Sequence, residues 1–168
     1  MTQQSLQTYK QINDWQEGDR LEKAEIVEKE KTHKTYLLHL SAHLFIIDSK
    51  NRILSRKRKS DDFRYTGLWT SSVGTHVLLE NDYLSTLKDL LPIQKKLEYI
   101  GEFRVHDEWE NEINGLYIIR ADKGDLPVEF LSDKSFFTNT ELNNLINQGK
   151  ATPHLKSGFE LLKRKLFN

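Results

Sequence analysis

The clearest alternation of apolar and polar positions lies in TYLLHLSAHLFIID, residues 35–48. In an extended strand the even-numbered apolar residues 38–44 share one face, whereas His39, Ser41 and His43 share the other. The β-branched and aromatic residues of this stretch also favour a long strand. The turn sequence DSKN and the following RILSRKR, residues 52–58, predict that this strand opens a hairpin.

The remaining elements are predicted from similar patterns. A polar loop that closes on Trp69 leads to a short extended segment, VGTHVLL, and two further strands are predicted at KLEYIGEFRV and NEINGLYIIRA. Three stretches have leucines at helical spacing: DYLSTLKDLL, capped by Asp82 and limited by Pro92; TELNNLINQGK, capped by its first threonine; and TPHLKSGFELLKRKLF, with Thr152 as cap and Pro153 in its first turn. This order of strands and helices predicts an α+β fold in α/β/α layers.

Length and composition limit the organisation of the chain. Its 168 residues contain no repeat, low-complexity tract or Pro/Gly-rich linker, so we expect residues 1–18 to form a polar N-terminal segment and residues 19–168 a single domain. Lysine plus arginine and aspartate plus glutamate number 25 each, and this balance predicts no nucleic-acid or membrane partner. The absence of cysteine excludes disulfides, thiolate zinc sites and a cysteine nucleophile.

We expect neither a secretory signal peptide nor a membrane-spanning segment. The N-terminal residues have no apolar core of signal-peptide length, and the longest apolar-rich stretch, residues 36–47, is interrupted by two histidines. Cytoplasm is therefore the expected compartment, while the oligomeric state stays open.

Two glutamates stand at alternate positions in WENEI, at the start of the last predicted strand. In a strand, Glu110 and Glu112 point to one face about 7 Å apart, which is unfavourable unless water, a basic group or a metal compensates the like charges. Together with His33, His39 and His76 they supply enough imidazole and carboxylate ligands for an octahedral divalent-metal site.

A metal-free arrangement is the alternative for the same residues. A single histidine on a strand is more often a hydrogen-bonded structural residue, and alternating glutamates on an edge strand usually face solvent. The glutamates and histidines would then pair with basic groups such as Arg104 or Arg120. Both arrangements stay open from the residues alone.

Several motifs together resemble a known family. HLSAHLFIIDSKNRILSRKRKSDDFRYTGLWTSSVGTH, residues 39–76, is similar to the opening half of Nudix-superfamily proteins, and more narrowly to type I isopentenyl-diphosphate isomerases. WENEI is similar to that family's Trp-x-Glu-x-Glu-hydrophobic signature, and FFTNTELNNLINQGKATPHLKSGFELL resembles its C-terminal end. The resemblance covers residues 19–166 and implies a Nudix-like α/β/α sandwich with a mixed central sheet.

The resemblance also implies a functional site. The family's ligands for Mn²⁺, Mg²⁺ or Zn²⁺ fall on four residues of this chain: His39, His76, Glu110 and Glu112. His33 lies one residue away from the position of a further ligand. Glu112 is also the candidate catalytic residue. Arg58 falls on a diphosphate-binding arginine, and Trp69 and His154 are candidate substrate contacts, since His154 replaces an aromatic residue that shields a carbocation. The implied partner is a small diphosphate-containing molecule.

The chain departs from the family where the chemistry takes place. The isomerases use a cysteine where this chain has Gly74, and a diphosphate-binding lysine of the family corresponds to Asp62. The box of a Nudix hydrolase is also degenerate. Gly74 and Glu80 meet its first spacing, but Pro92 and Ile93 stand where its paired glutamates are expected.

Two functions from different classes stay open. The first is a divalent-metal-dependent hydrolase or related enzyme acting on a small diphosphate-containing compound, and it is slightly favoured because four ligand positions are kept. The second is a catalytically silent Nudix-fold binding module that keeps the pocket. An active isopentenyl-diphosphate isomerase ranks third, because glycine at position 74 has no group that transfers a proton.

Overall fold

A computed structural model describes residues 4–62, 64–79 and 81–166. Within these ranges the chain forms nine strands and four helices around one mixed sheet. The strands are β1 (Ser5–Tyr9), β2 (Lys23–Glu28), β3 (Leu38–Ile47), β4 (Ile53–Lys57), β5 (Trp69–Thr70), β6 (Val73–His76), β7 (Glu98–His106), β8 (Asn111–Arg120) and β9 (Lys134–Phe137). The helices are α1 (Lys29–Lys34), α2 (Tyr83–Lys88), α3 (Asn139–Asn147) and α4 (Pro153–Leu166), and a 3-10 turn covers Lys123–Asp125.

The central strand is β3, which explains why nearly all of it is buried. Along one edge it pairs in parallel with β8, from His39 opposite Glu112 to Ile47 opposite Arg120, and β7 pairs antiparallel with the far edge of β8. Its other edge is shared by β1, β6 and β4, which pair in turn with its beginning, middle and end. This shared pairing leaves β3 covered along its whole length.

Apolar side chains cover both faces of the sheet. Phe45 and Ile47 of β3 lie in one core cluster with Leu155 and Phe159 of α4. Ala42, Leu44 and Ile46 of β3 lie in a second cluster with Leu87 of α2. Because successive residues of a strand point to opposite faces, α4 and α2 cover opposite sides of the sheet. The predicted α+β fold in α/β/α layers is confirmed.

The predicted caps of two helices are confirmed. Thr152 caps α4, since its Oγ1 accepts a hydrogen bond from the backbone N–H of Leu155 at 3.2 Å. Asp82 caps α2 in a capping box with Ser85, but this helix ends at Lys88, earlier than its leucine spacing predicted.

The predicted cap of α3 is wrong. The stretch TELNNLINQGK placed the cap at Thr140, whereas the structure places it at Thr138. Thr138 and Glu141 form a capping box, in which each side chain binds the other residue's backbone N–H. Glu141 stands three residues after Thr138, the spacing that this motif requires, so the helix begins earlier.

Part of the polar N-terminal segment belongs to the sheet. Within residues 1–18, β1 lies between β2 and β3, and its Leu6 and Thr8 are fully buried. Five residues are too few for an alternation signal, and their pairing with β3 decides their conformation. Among the described residues no helix has the length and apolarity needed to cross a membrane.

Candidate metal centre

The sheet register gathers polar residues of three strands on one face. His39 of β3 lies opposite Glu112 of β8, and His43 of β3 lies opposite Gly74 of β6. His76 stands two residues beyond Gly74 and therefore on the same face of β6. Directly paired residues point to the same side of a sheet, so these side chains form one cluster, on the side that α4 covers.

Two helices complete the cluster. The first turn of α4 contributes His154, and α1 contributes His33. The ring centroid of His33 lies 4.9 Å from that of His39 and 4.9 Å from that of His76. The structure thus brings His33 and the other four predicted ligands together and adds His154 to them.

Glu112 is the centre of this cluster and is only 2% exposed. Its Oε1 lies 3.1 Å from Nε2 of His39 and 3.3 Å from Nε2 of His76, while its Oε2 lies 2.9 Å from Nε2 of His154. Burial by itself raises the pKa of this carboxyl, but the hydrogen bonds with His154, His39 and His76 outweigh burial and hold the pKa well below its usual range. Glu112 is therefore a carboxylate at neutral pH.

A backbone carbonyl fixes the proton on Nδ1 of His39. Its Nδ1 lies 2.8 Å from the carbonyl oxygen of Leu37, which only accepts, so Nδ1 carries a proton and Nε2 faces Glu112. A lone pair on Nε2 would repel the carboxylate at 3.1 Å, so this contact requires a proton or a metal ion. Burial disfavours charge on the ring, but the hydrogen bond with Glu112 outweighs it and raises the pKa of His39. An imidazole N–H bound to a carbonyl is also the common support of a metal-binding histidine.

Glu110, which precedes β8, has one paired oxygen and one unsatisfied oxygen. Its Oε1 lies 2.9 Å from Nη1 of Arg64. Its Oε2 is buried without a hydrogen bond among the described residues, although Nδ1 of His33 lies 3.2 Å away. An oxygen of this kind is costly to bury unless a cation completes its surroundings.

The arginines considered as metal-free partners lie elsewhere. Arg104 donates to the backbone of residues 12 and 13 and to the side chain of Asn111. Arg120 lies 3.4 Å from the side chain of Asn51. Neither forms an ion pair with Glu110 or Glu112 in the described structure.

The donor atoms of the cluster are close enough to share cations. Three sets each have their ligand atoms within 4.8 Å of one another: His33, His39 and His76; His39, Glu110 and Glu112; and His43, Glu112 and His154. Imidazole and carboxylate in this proportion suit Mn²⁺, Fe²⁺ or Zn²⁺. With the unsatisfied oxygen of Glu110, the residues fit a divalent cation.

The cluster opens into a cavity of about 410 Å³. Its lining includes His76, Glu112 and His154 together with the cations Arg58 and Lys29. The same two cations also line a neighbouring cleft of about 700 Å³. A polar cavity that places cations beside a metal-ligand cluster has the chemistry to bind an anionic group.

The cations of the cavity differ in how far they are neutralised. Asp62, the charge reversal seen in the sequence, lies 2.8 Å from Arg56 but 3.7 Å from Arg58. Arg58 donates through Nε to the carbonyl oxygen of Arg64 at 2.7 Å, which orients its guanidinium. Lys29 forms no ion pair with a described carboxylate. Arg56 is shared, because its Nε also binds Asp133 at 2.9 Å. Arg58 has only the longer contact with Asp62, and Lys29 stays available.

Sequence reasoning missed four residues of this site. His43 gave a signal, because it shares a strand face with His39, whereas Lys29, Arg64 and Tyr65 lie in segments without a pattern. Burial lowers the pKa of His43 to about 3, so its ring is neutral at pH 7.

Two sequence predictions lie away from the cluster. Trp69 packs edge-to-face on Phe137, with ring centroids 4.7 Å apart, and contacts the core. It does not line the cavity, and its position is that of a loop anchor. Glu80, which met the first spacing of the Nudix box, lies outside the described residues.

No family model and no curated protein matches the chain. Solved structures match it at low sequence identity. DR0079 from Deinococcus radiodurans gives a TM-score of 0.63 at 15% identity, over 96% of this chain and 99% of that chain. The MutT protein from Methanosarcina mazei Go1 gives a TM-score of 0.57 at 14% identity, over 76% of this chain and 94% of that chain. The C-terminal domain of mouse MUTYH, in its complex with human PCNA, gives a TM-score of 0.56 at 16% identity, over 74% of this chain and 87% of that chain.

The chain has the Nudix fold. The Nudix-like sandwich predicted from the motifs is confirmed by this likeness, which extends over nearly the whole of DR0079. At these identities the likeness concerns the fold alone. The narrower similarity to isopentenyl-diphosphate isomerases still rests on the motifs of the sequence.

Proposed function

We propose that this Nudix-fold protein is a divalent-metal-dependent enzyme that acts on a small diphosphate-containing compound. One observation carries the proposal: the buried carboxylate of Glu112 faces three imidazoles within 3.3 Å, in the wall of a cavity that also holds Arg58 and Lys29. Burying so many ionisable ligands is costly unless a bound cation compensates for the lost hydration.

The metal is assigned to the side chains that surround Oε1 of Glu112. These are His39, His76 and Glu110, with His33 beside them. When bound, the metal neutralises the diphosphate and polarises the bond that reacts. The same set is the one implied by the resemblance to the isomerases, so geometry and motif support one assignment.

The diphosphate is assigned to Arg58 and Lys29. Arg58 presents a planar guanidinium, which can donate two parallel hydrogen bonds to phosphate oxygens. Lys29 adds a second positive charge in the same cavity without a carboxylate partner in the described structure. The charge reversal at Asp62 is partly offset by Arg56, which lies 2.8 Å away and also binds Asp133. Asp62 itself lies 3.7 Å from Arg58.

The reacting part of the site is assigned to the surroundings of Glu112 and its neighbour His154, which both line the cavity. Its imidazole partners keep Glu112 ionised, so this carboxylate is available as a metal ligand in the wall of the cavity. The helix α2 carries no glutamate between Tyr83 and Lys88, so the Nudix-box carboxylates are not available there. The reaction therefore depends on the cluster around Glu112.

A silent binding module is the second candidate, and the surroundings of Gly74 favour it. A Cβ at Gly74 would lie 2.7 Å from Cε1 of His43, so this imidazole fills the space in which the isomerases carry their cysteine. The same contact keeps isomerase activity third. A protein that binds a diphosphate compound without turning it over is consistent with this position of His43.

Turnover of a diphosphate panel separates these functions. Purified protein with Mn²⁺ or Mg²⁺ is incubated with nucleotide, sugar-nucleotide and isoprenoid diphosphates, and products are identified by mass spectrometry. We expect release of phosphate or a monophosphate, loss of turnover in Glu112→Gln, and a raised KM in Arg58→Met. The exposed Arg20 provides the matched control, since Arg20→Met removes a cation far from the lining residues.

Each other outcome has a definite meaning. Saturable binding without turnover across the panel would establish the binding module. Conversion of isopentenyl diphosphate into its isomer would establish the isomerase. Protein that stays metal-free and binds no diphosphate would refute the proposed function.

A further inference from the structure

Gly74 and His154, two departures from the isomerase pattern, both lie beside the ring of His43. Gly74 leaves room for the ring of His43, because an added Cβ would lie 2.7 Å from Cε1 and 2.9 Å from Nδ1 of that ring. The ring of His43 stacks on that of His154, with centroids 4.9 Å apart and planes at 16°. The loss of the cysteine and the gain of His154 therefore belong to one rebuilt part of the site.

The hydrogen bonds of His43 leave one ring nitrogen available. Its Nδ1 lies 2.7 Å from Oγ of Ser71, and this hydroxyl donates to the carbonyl oxygen of Val73 at 3.0 Å. Because the hydroxyl proton is used, Nδ1–H of His43 donates to Oγ and Nε2 keeps its lone pair. Nε2 has no hydrogen-bond partner within the described part of the chain. This is the arrangement that fixes a metal-binding imidazole.

The two oxygens of Glu112 serve different histidines. Oε1 faces His39 and His76, whereas Oε2 lies 2.9 Å from Nε2 of His154. One ligand atom each of His43, His154 and Glu112 lie within 4.8 Å of one another, and all three residues are buried. A carboxylate placed between two groups of imidazoles has the geometry of a bridge between two cations.

We propose that His43, His154 and Glu112 bind a second divalent cation, which Glu112 joins to the cation of the proposed function. Two imidazoles and one carboxylate favour a first-row transition metal, Mn²⁺, Fe²⁺ or Zn²⁺, over Mg²⁺, which prefers oxygen ligands. The inference shares Glu112 with the proposed function, but its own ligands come from β3 and α4 and are absent from the first set. Gly74 takes part by leaving space for His43.

Metal stoichiometry tests this site without an activity assay. The whole chain is loaded with Mn²⁺, desalted and analysed by elemental mass spectrometry. We expect two equivalents in the parent and one in His43→Gln and in His154→Phe. Exposed His106 provides the control, and His106→Gln should keep two equivalents. The two variants change different elements, so a folding defect in one leaves the other informative.

Electron paramagnetic resonance supplies an independent readout. Two Mn²⁺ ions joined by Glu112 should give an exchange-coupled spectrum, and His154→Phe should give the six-line spectrum of an isolated ion. One equivalent in the parent that both variants retain would overturn the second site and leave the proposed function standing. The parent could instead bind one equivalent of Mn²⁺ that both variants lose and that His76→Asn retains. This result would overturn the metal assignment of the proposed function. A metal-free parent would overturn both.

Discussion

Replacing Gly74 by alanine should destabilise the protein, although the same change in a strand is ordinarily favourable. Glycine in a strand interior costs about 0.5–1 kcal/mol relative to alanine, so a site with free space would gain stability. At Gly74 the new Cβ would lie 2.7 Å from Cε1 of His43 and 3.3 Å from Oγ of Ser71. The ring of His43 is 6% exposed, binds Ser71 and stacks on His154, so displacing it disrupts both contacts.

The expected loss follows from these contacts. Overpacking a well-filled interior costs about 1–3 kcal/mol. Displacing His43 also breaks its hydrogen bond with Ser71, which contributes about 1 kcal/mol. After subtraction of the gain from removing a glycine, we expect Gly74→Ala to lower the free energy of unfolding by about 1–3 kcal/mol.

Urea unfolding at pH 7 measures this loss, and a double-mutant cycle assigns its cause. In the background of His43→Ser the added methyl group has space, so Gly74→Ala should be neutral or stabilising there, with a coupling energy of at least about 1 kcal/mol. Gly124 has no atom within 4 Å of an added Cβ, and Gly124→Ala is the matched control. An equal loss with and without His43 would refute the steric explanation.

Three further predictions concern stability. Asp48→Ala should lower the free energy of unfolding by about 1–3 kcal/mol, because this buried carboxylate accepts hydrogen bonds from two backbone N–H groups and from a guanidinium. Burial raises the pKa of Asp48, but the hydrogen bonds with Arg52 outweigh burial and lower it. The stabilisation by Asp48 is therefore present above the pKa of an ordinary carboxyl group and is lost as pH falls through the folded-state pKa, which urea unfolding at pH 7 and pH 3 can show. Thr138→Ala should cost about 0.5–2 kcal/mol in the same assay while Thr140→Ala changes little, and the reverse order would contradict the observed cap. Mn²⁺ at a hundred times its Kd should stabilise the protein against thermal unfolding by about 2.7 kcal/mol per site. Glu112→Gln should remove most of this stabilisation. An equal rise in Tm for the variant and the parent would contradict the assignment of Glu112 as a ligand.

The local patterns of the chain were sufficient for its regular elements. The pattern of residues 35–48 predicted the central strand, which the structure forms at Leu38–Ile47. Its polar face of His39, Ser41 and His43 lies as expected. Asp82 and Thr152 are the caps of their helices, since capping depends on hydrogen bonds within a few residues. Short elements without a period of their own, β1, α1 and β9, could not be predicted, because their partners lie far away in the sequence.

By itself, the sequence determined which residues have ligand chemistry and that Glu110 and Glu112 share a strand end. Only the tertiary structure decided how these groups combine. The parallel register of β3 and β8 sets Glu112 beside His39, and α4 brings His154 to the other oxygen of the same carboxylate. Strand register and helix packing depend on contacts between residues distant in sequence, and no local pattern encodes a distance between them. For the same reason, the sequence shows at Gly74 only the absence of a catalytic group. The fold shows that the absence of a side chain there leaves space for the ring of His43.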